Sequence, residues 1–331
     1  MISINKNKTV AVAGAEGFVG NNICRQLLAQ GYKVRAMYLN DPIGLKSLDV
    51  ELFQGNICQP ESLNKFTAHA DIVINSAAQV LFYESYENLK AVNVDAVKLL
   101  VDSCVQNQVK RLIHIGSIQV YDQHPLDQVL DETRAYVGPD GDGYNRSKAE
   151  GDKEVLKGLE RGLEVVNIAA GGCIGPNNFE PNNGGKTLLG YAEGPKPFPE
   201  KGGYNWVDVR DVAYGVVQAI EKGVSGSTYI MAGEWISMVD YAILIEKVLD
   251  RKVLKSKIPL WLIKAMVPIS SLKSKLNKKP PMVYMAAVNA LLINEQISSA
   301  KAEKELGFKA RPLENSLKDT YRWFKGMKMM E

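Results

Sequence analysis

The sequence is poor in cysteine and carries no strong excess of charge of either sign. Its four cysteines among 331 residues show neither CxxC spacing nor a pairing pattern, so we expect free thiols in a reducing compartment and no metal site. The formal net charge of +3 is too small to indicate a nucleic-acid partner. These absences favour a protein that binds a small-molecule substrate.

The sequence also lacks a long apolar run. Residues Met1–Lys8 are polar, without the apolar core of a signal peptide, and the longest apolar stretch, Ile258–Ile269, is interrupted by Lys264 and too short to span a bilayer. We therefore predict a cytoplasmic protein with no membrane partner. An interfacial helix stays open as an alternative, because lysines lie on both sides of this stretch: Lys255, Lys257, Lys273 and Lys275.

Short β-branched runs alternate with helical patterns through the first half of the chain. The apolar and charged fractions of 46% and 23% are typical of a globular protein. Alternating strands and helices predict an α/β fold, a Rossmann-like doubly wound parallel sheet with a smaller, mostly helical C-terminal substrate lobe. The predicted strands are Thr9–Ala13, Val34–Leu39, Glu51–Gln54, Asp71–Asn75, Arg111–Ile115 and Glu164–Ala169.

The character of the sequence changes after Cys173, where proline, glycine and asparagine become frequent. We assign residues 1–172 to a nucleotide-binding domain and residues 173–331 mostly to the substrate lobe. Segments of 204–232 return to the first domain, because a strand-like Trp206–Val209, a helix from Asp211 and a strand-like Thr228–Met231 continue the alternation.

A glycine-rich turn is the most informative feature of the sequence. Gly14, Gly17 and Gly20 follow the first predicted strand and open an amphipathic helix. In this context the first glycine permits a tight turn, the second admits a pyrophosphate to the backbone, and the third lets helix and strand pack closely. The N–H groups at the helix start would face the phosphates. The turn therefore predicts a dinucleotide-binding site.

A tyrosine and a lysine four residues apart, Tyr144 and Lys148, form the candidate catalytic pair. They share one helix face, and a nearby ammonium can lower the pKa of a phenol towards neutrality. The same spacing recurs in Tyr86/Lys90 and Tyr321/Lys325, so context must decide. We choose Tyr144 because its helix would start near the crevice where Ser117 ends a predicted strand.

These motifs resemble those of the extended short-chain dehydrogenases/reductases, and within them the dihydroflavonol-reductase-like branch. The resemblance implies that Tyr144 donates or accepts a proton, Ser117 polarises the substrate oxygen, Lys148 binds the nicotinamide ribose and Asn93 holds the site geometry. Gly116 and Ala13 replace a frequent serine and threonine of the family, and neither change removes a catalytic group. The segments that carry the resemblance are Gly14–Gly20, Asn75–Ala78, Val92–Val94, Ser117–Tyr121, Tyr144–Lys148, Gly175–Pro176, Val207–Ala213 and Lys304–Phe308.

The resemblance also implies further contacts to cofactor and substrate. Asn56 stands where the family often has an aspartate facing the adenine amine, and its amide oxygen can accept the same hydrogen bond. The implied cofactor contacts are Gly14, Gly17, Phe18, Val19, Gly20, Arg35, Asn56, Ile57, Ala77, Ala78, Gln79, Tyr144 and Lys148. The implied substrate contacts are Phe82, Gln119, Asn178 and Trp206.

The choice between NAD and NADP depends on the end of the second predicted strand. An acidic residue there binds the adenosine ribose and selects NAD, whereas an arginine accommodates a 2′-phosphate. The chain offers Tyr38 and Leu39 at these positions, with Arg35, Lys46 and Asp41 nearby. Because no carboxylate stands directly at the strand end, the sequence leans slightly towards NADP.

Two enzyme classes, which act on different substrates, are compatible with these motifs. A nucleotide-sugar epimerase or dehydratase needs cations for a second pyrophosphate, but Tyr204 and Asn205 stand where such enzymes often carry an arginine. The lobe is instead rich in apolar side chains that suit a small or lipophilic carbonyl or alcohol, unless they form ordinary helix core: Trp261, Leu262, Met266, Val267, Met282, Tyr284 and Met285. We favour a reductase or dehydrogenase.

Two further hypotheses concern a non-catalytic role and the oligomeric state. A non-catalytic NAD(P)-binding sensor would have no need of Ser117, Tyr144 and Lys148 together. A homodimer is possible through the predicted helices Leu89–Gln106 and Ser147–Gly158, although their apolar positions also suit packing on the sheet.

Overall fold

The computed structural model describes residues 8–277 and 279–330. The strands are β1 (Thr9–Ala13), β2 (Lys33–Tyr38), β3 (Glu51–Gln54), β4 (Ile72–Asn75), β5 (Arg111–Ser117), β6 (Glu164–Ala170), β7 (Gly172–Ile174), β8 (Lys196–Pro199), β9 (Gly203–Asp208), β10 (Thr228–Met231), β11 (Glu234–Ser237) and β12 (Leu254–Ile258). The α-helices are α1 (Phe18–Ala29), α2 (Pro60–Thr67), α3 (Tyr86–Lys90), α4 (Ala96–Gln106), α5 (Gly143–Leu156), α6 (Asn183–Glu193), α7 (Val209–Lys222), α8 (Met238–Leu249), α9 (Leu260–Asn277), α10 (Met285–Asn289), α11 (Ala300–Leu306) and α12 (Leu313–Gly326). Within these described residues, no helix is long and apolar enough to cross a membrane.

Seven parallel strands form the central sheet in the order β3-β2-β1-β4-β5-β6-β10. The order reverses between β1 and β4, so a crevice opens there at the carboxyl ends of the strands. The inner strands are mostly apolar, and β4 is buried at every residue, because helices cover both faces of the sheet. The predicted α/β doubly wound fold is confirmed.

Two apolar layers hold the helices on the sheet. On one face, α1, α7 and α11 pack against β1 and β6 through side chains such as Ile23, Leu27, Val216 and Leu306. On the other face, α2, α4 and α5 pack through Leu63, Phe66, Leu100 and Val155. Leu89, Leu100 and Val155, which we considered for a dimer interface, are buried within the chain.

A turn of π-helix interrupts the long helix predicted over Leu89–Gln106. The chain runs from α3 into a π segment, Ala91–Asp95, and then into α4. The extra residue in the turn brings Asn93 inwards, where its side chain is buried. Such single π turns are frequent at functional sites, because they redirect one side chain without ending the helix.

The C-terminal half divides between the sheet and a separate lobe. Strand β10 pairs with β6, and α7 packs on α1, so this returning segment completes the central sheet. Strand β9, in contrast, joins a three-stranded sheet with β7 and β11. A second core, around Leu188, Phe198, Tyr241 and Phe324, holds the lobe together.

Charged side chains join α7 to the last helix. Asp208 caps α7 by accepting from the Arg210 backbone N–H at 2.8 Å, and the Arg210 guanidinium bridges Asp208 and Asp319 at 2.7 and 2.8 Å. Arg311 donates to the carboxylate of Asp211 through its backbone N–H and guanidinium. Burial raises the pKa of Asp208, whereas the two arginines lower it. The net shift is downward.

The contact between α5 and the π segment generates a stability prediction. A β-carbon at Gly151 of α5 would overlap the carbonyl oxygen of Asn93, whereas one at Gly190 of α6 would meet nothing within 4 Å. We expect Gly151→Ala to destabilise the fold by about 1–3 kcal/mol through overpacking. Gly190→Ala should stabilise it by up to about 1 kcal/mol through helix propensity. Urea denaturation measures both, and equal effects of the two substitutions would contradict the packing described here.

Candidate active site

The glycine turn between β1 and α1 lies directly against the loop that follows β4. Gly14 has a φ of +70°, and a β-carbon there would lie 2.6 Å from the Ala77 backbone nitrogen. A β-carbon at Gly20 would overlap the Gly14 carbonyl oxygen and lie 2.6 Å from the Ser76 hydroxyl. Both glycines are therefore required for close packing at the point where the strand order reverses.

Gly17 serves the turn in a different way. It is the N-cap of α1, with an ordinary φ of −70°, and it has no side chain with which to cap the helix. The first helical turn, which begins with Phe18 and Val19, also contains no acidic residue. Its N–H groups and the positive end of the helix dipole suit a pyrophosphate, so this turn fits a dinucleotide.

Asn93 fastens the loop after β4 to helix α5. Its amide oxygen accepts from the Gln79 backbone N–H at 2.8 Å, and its amide nitrogen donates to the Gln79 carbonyl at 3.0 Å and to the Ser147 hydroxyl at 3.0 Å. The loop Ala77–Gln79, with Ala78 at its centre, thereby keeps a fixed distance from the helix that carries Tyr144. Asn93 acts as a positioning residue in this arrangement.

Tyr144 lies in the first turn of α5 with its side chain buried. Its ring packs on Phe82, with 4.5 Å between the centroids. Burial raises the pKa of Tyr144 well above its ordinary value, although the nearby Ser117 side chain opposes the rise. The phenol is therefore protonated at neutral pH. The structure brings Ser117 and Tyr144 together as the sequence predicts.

The ammonium of Lys148 faces the sheet. Its Nζ donates to the Ile115 carbonyl at 2.8 Å, and burial lowers the pKa of Lys148 while Asp152 opposes the shift. We expected Lys148 to lower the pKa of Tyr144. In this structure burial outweighs any such effect, and the phenol pKa is raised.

A buried histidine and aspartate, which the sequence analysis did not identify, accompany Lys148. Asn75 accepts from the Ala77 backbone N–H through its amide oxygen, so its amide nitrogen faces His114 and donates to Nδ1 at 3.0 Å. The proton of His114 then sits on Nε2, 3.4 Å from the Asp152 carboxylate. Burial, with Lys148 nearby, keeps the pKa of His114 well below its ordinary value, so the ring is neutral.

Asp152 is fully buried beside these groups. Burial raises its pKa to about 7, although Lys148 and a 3.3 Å hydrogen bond from the Tyr136 hydroxyl favour the charged form. Gly116 makes room for it, because a β-carbon there would lie 2.9 Å from the carboxylate. The spacing Tyr144, Lys148, Asp152 repeats every four residues and could have revealed this group, since all three share one helix face.

The residues expected around the adenosine divide into two groups. Asn56 and Ile57 follow β3 at the carboxyl edge of the sheet, where the Asn56 amide oxygen accepts from the Cys58 backbone N–H at 2.8 Å. Arg35 points elsewhere. Its guanidinium donates to the Phe66 and Ala68 carbonyls at 2.9 and 2.7 Å and is thereby oriented towards the C-terminal end of α2.

Glu16, which the sequence analysis missed, places a carboxylate at the end of β2. Its two oxygens accept from the backbone N–H groups of Leu39 at 3.0 Å and Asn40 at 3.2 Å. The nearby Lys46 pairs with Asp41 at 2.9 Å. The predicted slight preference for NADP assumed that no carboxylate stood at this strand end. That assumption is wrong, because the glycine turn supplies one.

The residues expected to contact substrate differ in whether their polar atoms have hydrogen-bond partners within the fold. Within the described part of the chain, the Gln119 amide oxygen and the Trp206 indole nitrogen are buried without a hydrogen-bond partner. The Trp206 ring stacks on Tyr241, with 5.1 Å between centroids. Asn178 is different, since both of its amide atoms bond to Asn182 at 3.2 Å and stabilise the start of α6.

Comparison with known proteins gives a family match and similar whole chains. Residues 10–232 match the NAD dependent epimerase/dehydratase family. The chain is 26% identical over 325 residues to "Sterol demethylase protein B" of Methylococcus capsulatus, covering 96% of this chain and 98% of that protein. It is 26% identical to the Synechocystis protein named "Putative dihydroflavonol 4-reductase", covering 95% and 93%. The crystal structure of gox2253 matches with a TM-score of 0.83 at 26% identity, covering 98% and 100%.

The buried carboxyl group generates a pH prediction. Asp152 titrates near 7 in the fold and near 3.8 when unfolded, so between these values only the folded chain keeps the proton. The free energy of unfolding of the wild type should therefore fall, relative to Asp152→Asn, by more than about 1 kcal/mol as pH rises from about 4 to about 7. His114, Lys148 and Tyr136 remain in both proteins. Urea denaturation across this pH range measures the difference.

The exposed Asp127, changed to Asn, is the control and should show no such slope. A difference between wild type and Asp152→Asn that stays constant with pH would show that Asp152 titrates normally in the fold.

Proposed function

The chain belongs to the NAD dependent epimerase/dehydratase family, and we propose that it reduces a lipophilic ketone or aldehyde with Tyr144 as proton donor. The family match and the similarity to the Synechocystis protein confirm the resemblance to extended short-chain dehydrogenases/reductases of the dihydroflavonol-reductase-like branch. The protein is thus an NAD(P)-dependent enzyme. The observation that carries the finer proposal is the buried phenol of Tyr144 beside the Ser117 hydroxyl at the sheet crevice.

The residues present fit a nicotinamide dinucleotide. Gly14 and Gly20 allow the tight packing of the turn, and Gly17, the N-cap, adds no side chain beside the α1 N–H groups that would bind the pyrophosphate. The loop Ala77–Gln79, fixed by Asn93, would border the ring end of the cofactor. The bound cofactor would supply the hydride, and the groups of the chain would supply the proton and the positioning.

Ser117 and Tyr144 would act on the substrate oxygen together. The Ser117 hydroxyl would donate a hydrogen bond to the carbonyl oxygen and hold it beside the phenol. As negative charge develops on this oxygen, Tyr144 would deliver its proton as a general acid. The raised pKa of Tyr144 keeps the phenol protonated at neutral pH, as this step requires.

The surroundings of the phenol support a lipophilic substrate. The Phe82 ring covers Tyr144, and Trp206 and Tyr241 stack nearby in the lobe. The two unpartnered polar atoms, on Gln119 and Trp206, would fix the orientation of a mostly apolar molecule. A relative named for sterol demethylation is in keeping with this class. A nucleotide sugar would need cationic groups for a second pyrophosphate, and Tyr204 and Asn205 stand where such enzymes often carry an arginine.

We also propose a preference for NAD over NADP. The Glu16 carboxylate at the end of β2 would repel a 2′-phosphate and could accept hydrogen bonds from ribose hydroxyls. Arg35 is bonded to backbone carbonyls and Lys46 to Asp41, so neither is oriented to hold that phosphate.

Substitution of Tyr144 tests the proposed chemistry. Tyr144→Phe keeps the ring that packs on Phe82 and removes the proton, so we expect turnover to fall by about 10²–10⁴-fold with cofactor binding nearly unchanged. The assay uses ketones, aldehydes and nucleotide sugars with NADH and NADPH. Tyr86→Phe and Tyr321→Phe, from the other two tyrosine–lysine pairs, should stay within a few-fold of wild type. The choice of Tyr144 fails if one of these controls loses turnover and Tyr144→Phe retains it.

Substitution of Glu16 tests the cofactor preference. Wild type should bind NADH more tightly than NADPH, and Glu16→Gln should reduce this ratio about tenfold by removing one negative charge near the 2′ position. Calorimetric titration with each cofactor gives the ratio, and Glu160→Gln, an exposed change elsewhere, should leave it unaltered. A wild-type preference for NADPH would overturn the assignment of Glu16.

A further inference from the structure

Helix α9 exposes an apolar face that the rest of the described chain leaves uncovered. None of its eighteen residues is buried. The exposed fractions are 69% for Trp261, 68% for Ile269, 61% for Leu272 and 75% for Leu276. The sequence favours a substrate-lobe or core role for this segment and leaves an interfacial helix as the alternative; the exposure of its largest apolar side chains excludes the core.

The exposed side chains form one continuous stripe. Trp261, Ala265, Ile269, Leu272 and Leu276 are spaced by four, four, three and four residues, which places them on one side of an α-helix. The opposite side, with Ile263, Met266, Val267 and Ser270, is half-buried against the protein. The apolar stripe therefore faces outwards along the whole helix, about 27 Å at 1.5 Å per residue.

Lysines border the stripe on both sides. At 100° per residue, Lys264 and Lys275 lie on one flank of the apolar side chains and Lys273 lies on the other. All three lysines are exposed. An apolar stripe between two cationic flanks is the pattern of a helix that lies in the plane of a membrane interface.

The sequence around α9 carries charge of one sign only. Residues 251–294 contain no aspartate or glutamate and nine lysine or arginine residues. Because the whole chain has a formal net charge of only +3, the remaining residues carry a net charge of −6. The cations are thus concentrated around α9, and their complement is an anionic surface.

The apolar surface continues beyond the helix. The Ser270 hydroxyl accepts from the Val283 backbone N–H at 3.0 Å and holds the following segment beside α9. In that segment Met282 and Met285 are also exposed. These methionines add flexible apolar side chains to the exposed surface beside α9.

We propose that α9 docks in the plane of an anionic lipid bilayer. The side chains of Trp261, Ile269, Leu272 and Leu276 enter the boundary between headgroups and acyl chains, and Lys264, Lys273 and Lys275 contact lipid phosphates. Charge complementarity favours this occupant over a second copy of the chain, whose matching face would bring the same lysines together.

The docked surface lies close to the proposed active site. The Tyr284 ring, next to Met285, packs edge-on against Tyr83 at 5.9 Å between centroids, and the neighbouring Phe82 covers Tyr144 at 4.5 Å. A docked enzyme would hold its phenol near the bilayer, where a lipophilic carbonyl compound dissolves. This last step rests on the proposed function, whereas docking does not.

Vesicle co-sedimentation of the full chain tests the proposal independently of activity. The probes are vesicles of phosphatidylcholine alone and of phosphatidylcholine with phosphatidylglycerol. We expect tight binding only to the anionic vesicles, weakened by salt. The variant Ile269→Glu/Leu272→Glu should lose at least about tenfold in partitioning. Lys264→Ser/Lys273→Ser/Lys275→Ser should lose on the order of a hundredfold.

Matched controls come from exposed positions elsewhere. Val224→Glu/Ile243→Glu changes two exposed apolar side chains, and Lys98→Ser/Lys304→Ser/Lys325→Ser removes three exposed lysines; both should bind like wild type. Failure of wild type to bind anionic vesicles, or equal binding by the α9 variants, would overturn the proposal. A dimer in light scattering that Ile269→Glu/Leu272→Glu dissociates, without vesicle binding, would assign the face to a second copy instead.

Discussion

The contact between the glycine turn and the loop after β4 is the constraint on which the rest of the site depends. Gly14 and Gly20 bring the first turn of α1 so close to Ala77 and Ser76 that a single β-carbon would separate them. Because the strand order reverses between β1 and β4, these two connections lead to opposite faces of the sheet. Their close approach closes the bottom of the crevice, and Asn93 then ties the loop after β4 to α5.

The proposed catalytic groups are held by a second, polar layer beneath them. Asn93 links the loop after β4 to α5, and the buried side chains of His114, Lys148 and Asp152 fill the space between α5 and β5. Buried ionisable groups are rarely a source of stability, but they specify geometry, because each bond has only one satisfactory arrangement. Gly116 is part of the same design, since its missing side chain is the space that Asp152 occupies.

The sequence predicts what depends on local pattern and misses what depends on distant contacts. The sheet strands follow from β-branched runs, and Tyr144 was separated from two other tyrosine–lysine pairs by its neighbours along the chain. Glu16 was missed because its partners, Leu39 and Asn40, lie on a different strand connection. The orientation of Arg35 does not follow from its position on β2, because the backbone carbonyls that its guanidinium meets lie at the end of α2. The outward stripe of α9 looked like core, since composition alone does not tell which side of a helix the protein covers.

The π turn at Ala91–Asp95 has a consequence for how such a chain can change in length. Deleting one residue there would restore a regular α-helix and leave the flanking helices aligned, because the π turn accommodates a single extra residue. The inward bulge that holds Asn93 against Gln79 and Ser147 would be lost, and with it the anchor of the loop after β4. A change of length that preserves this anchor must therefore lie outside Ala91–Asp95.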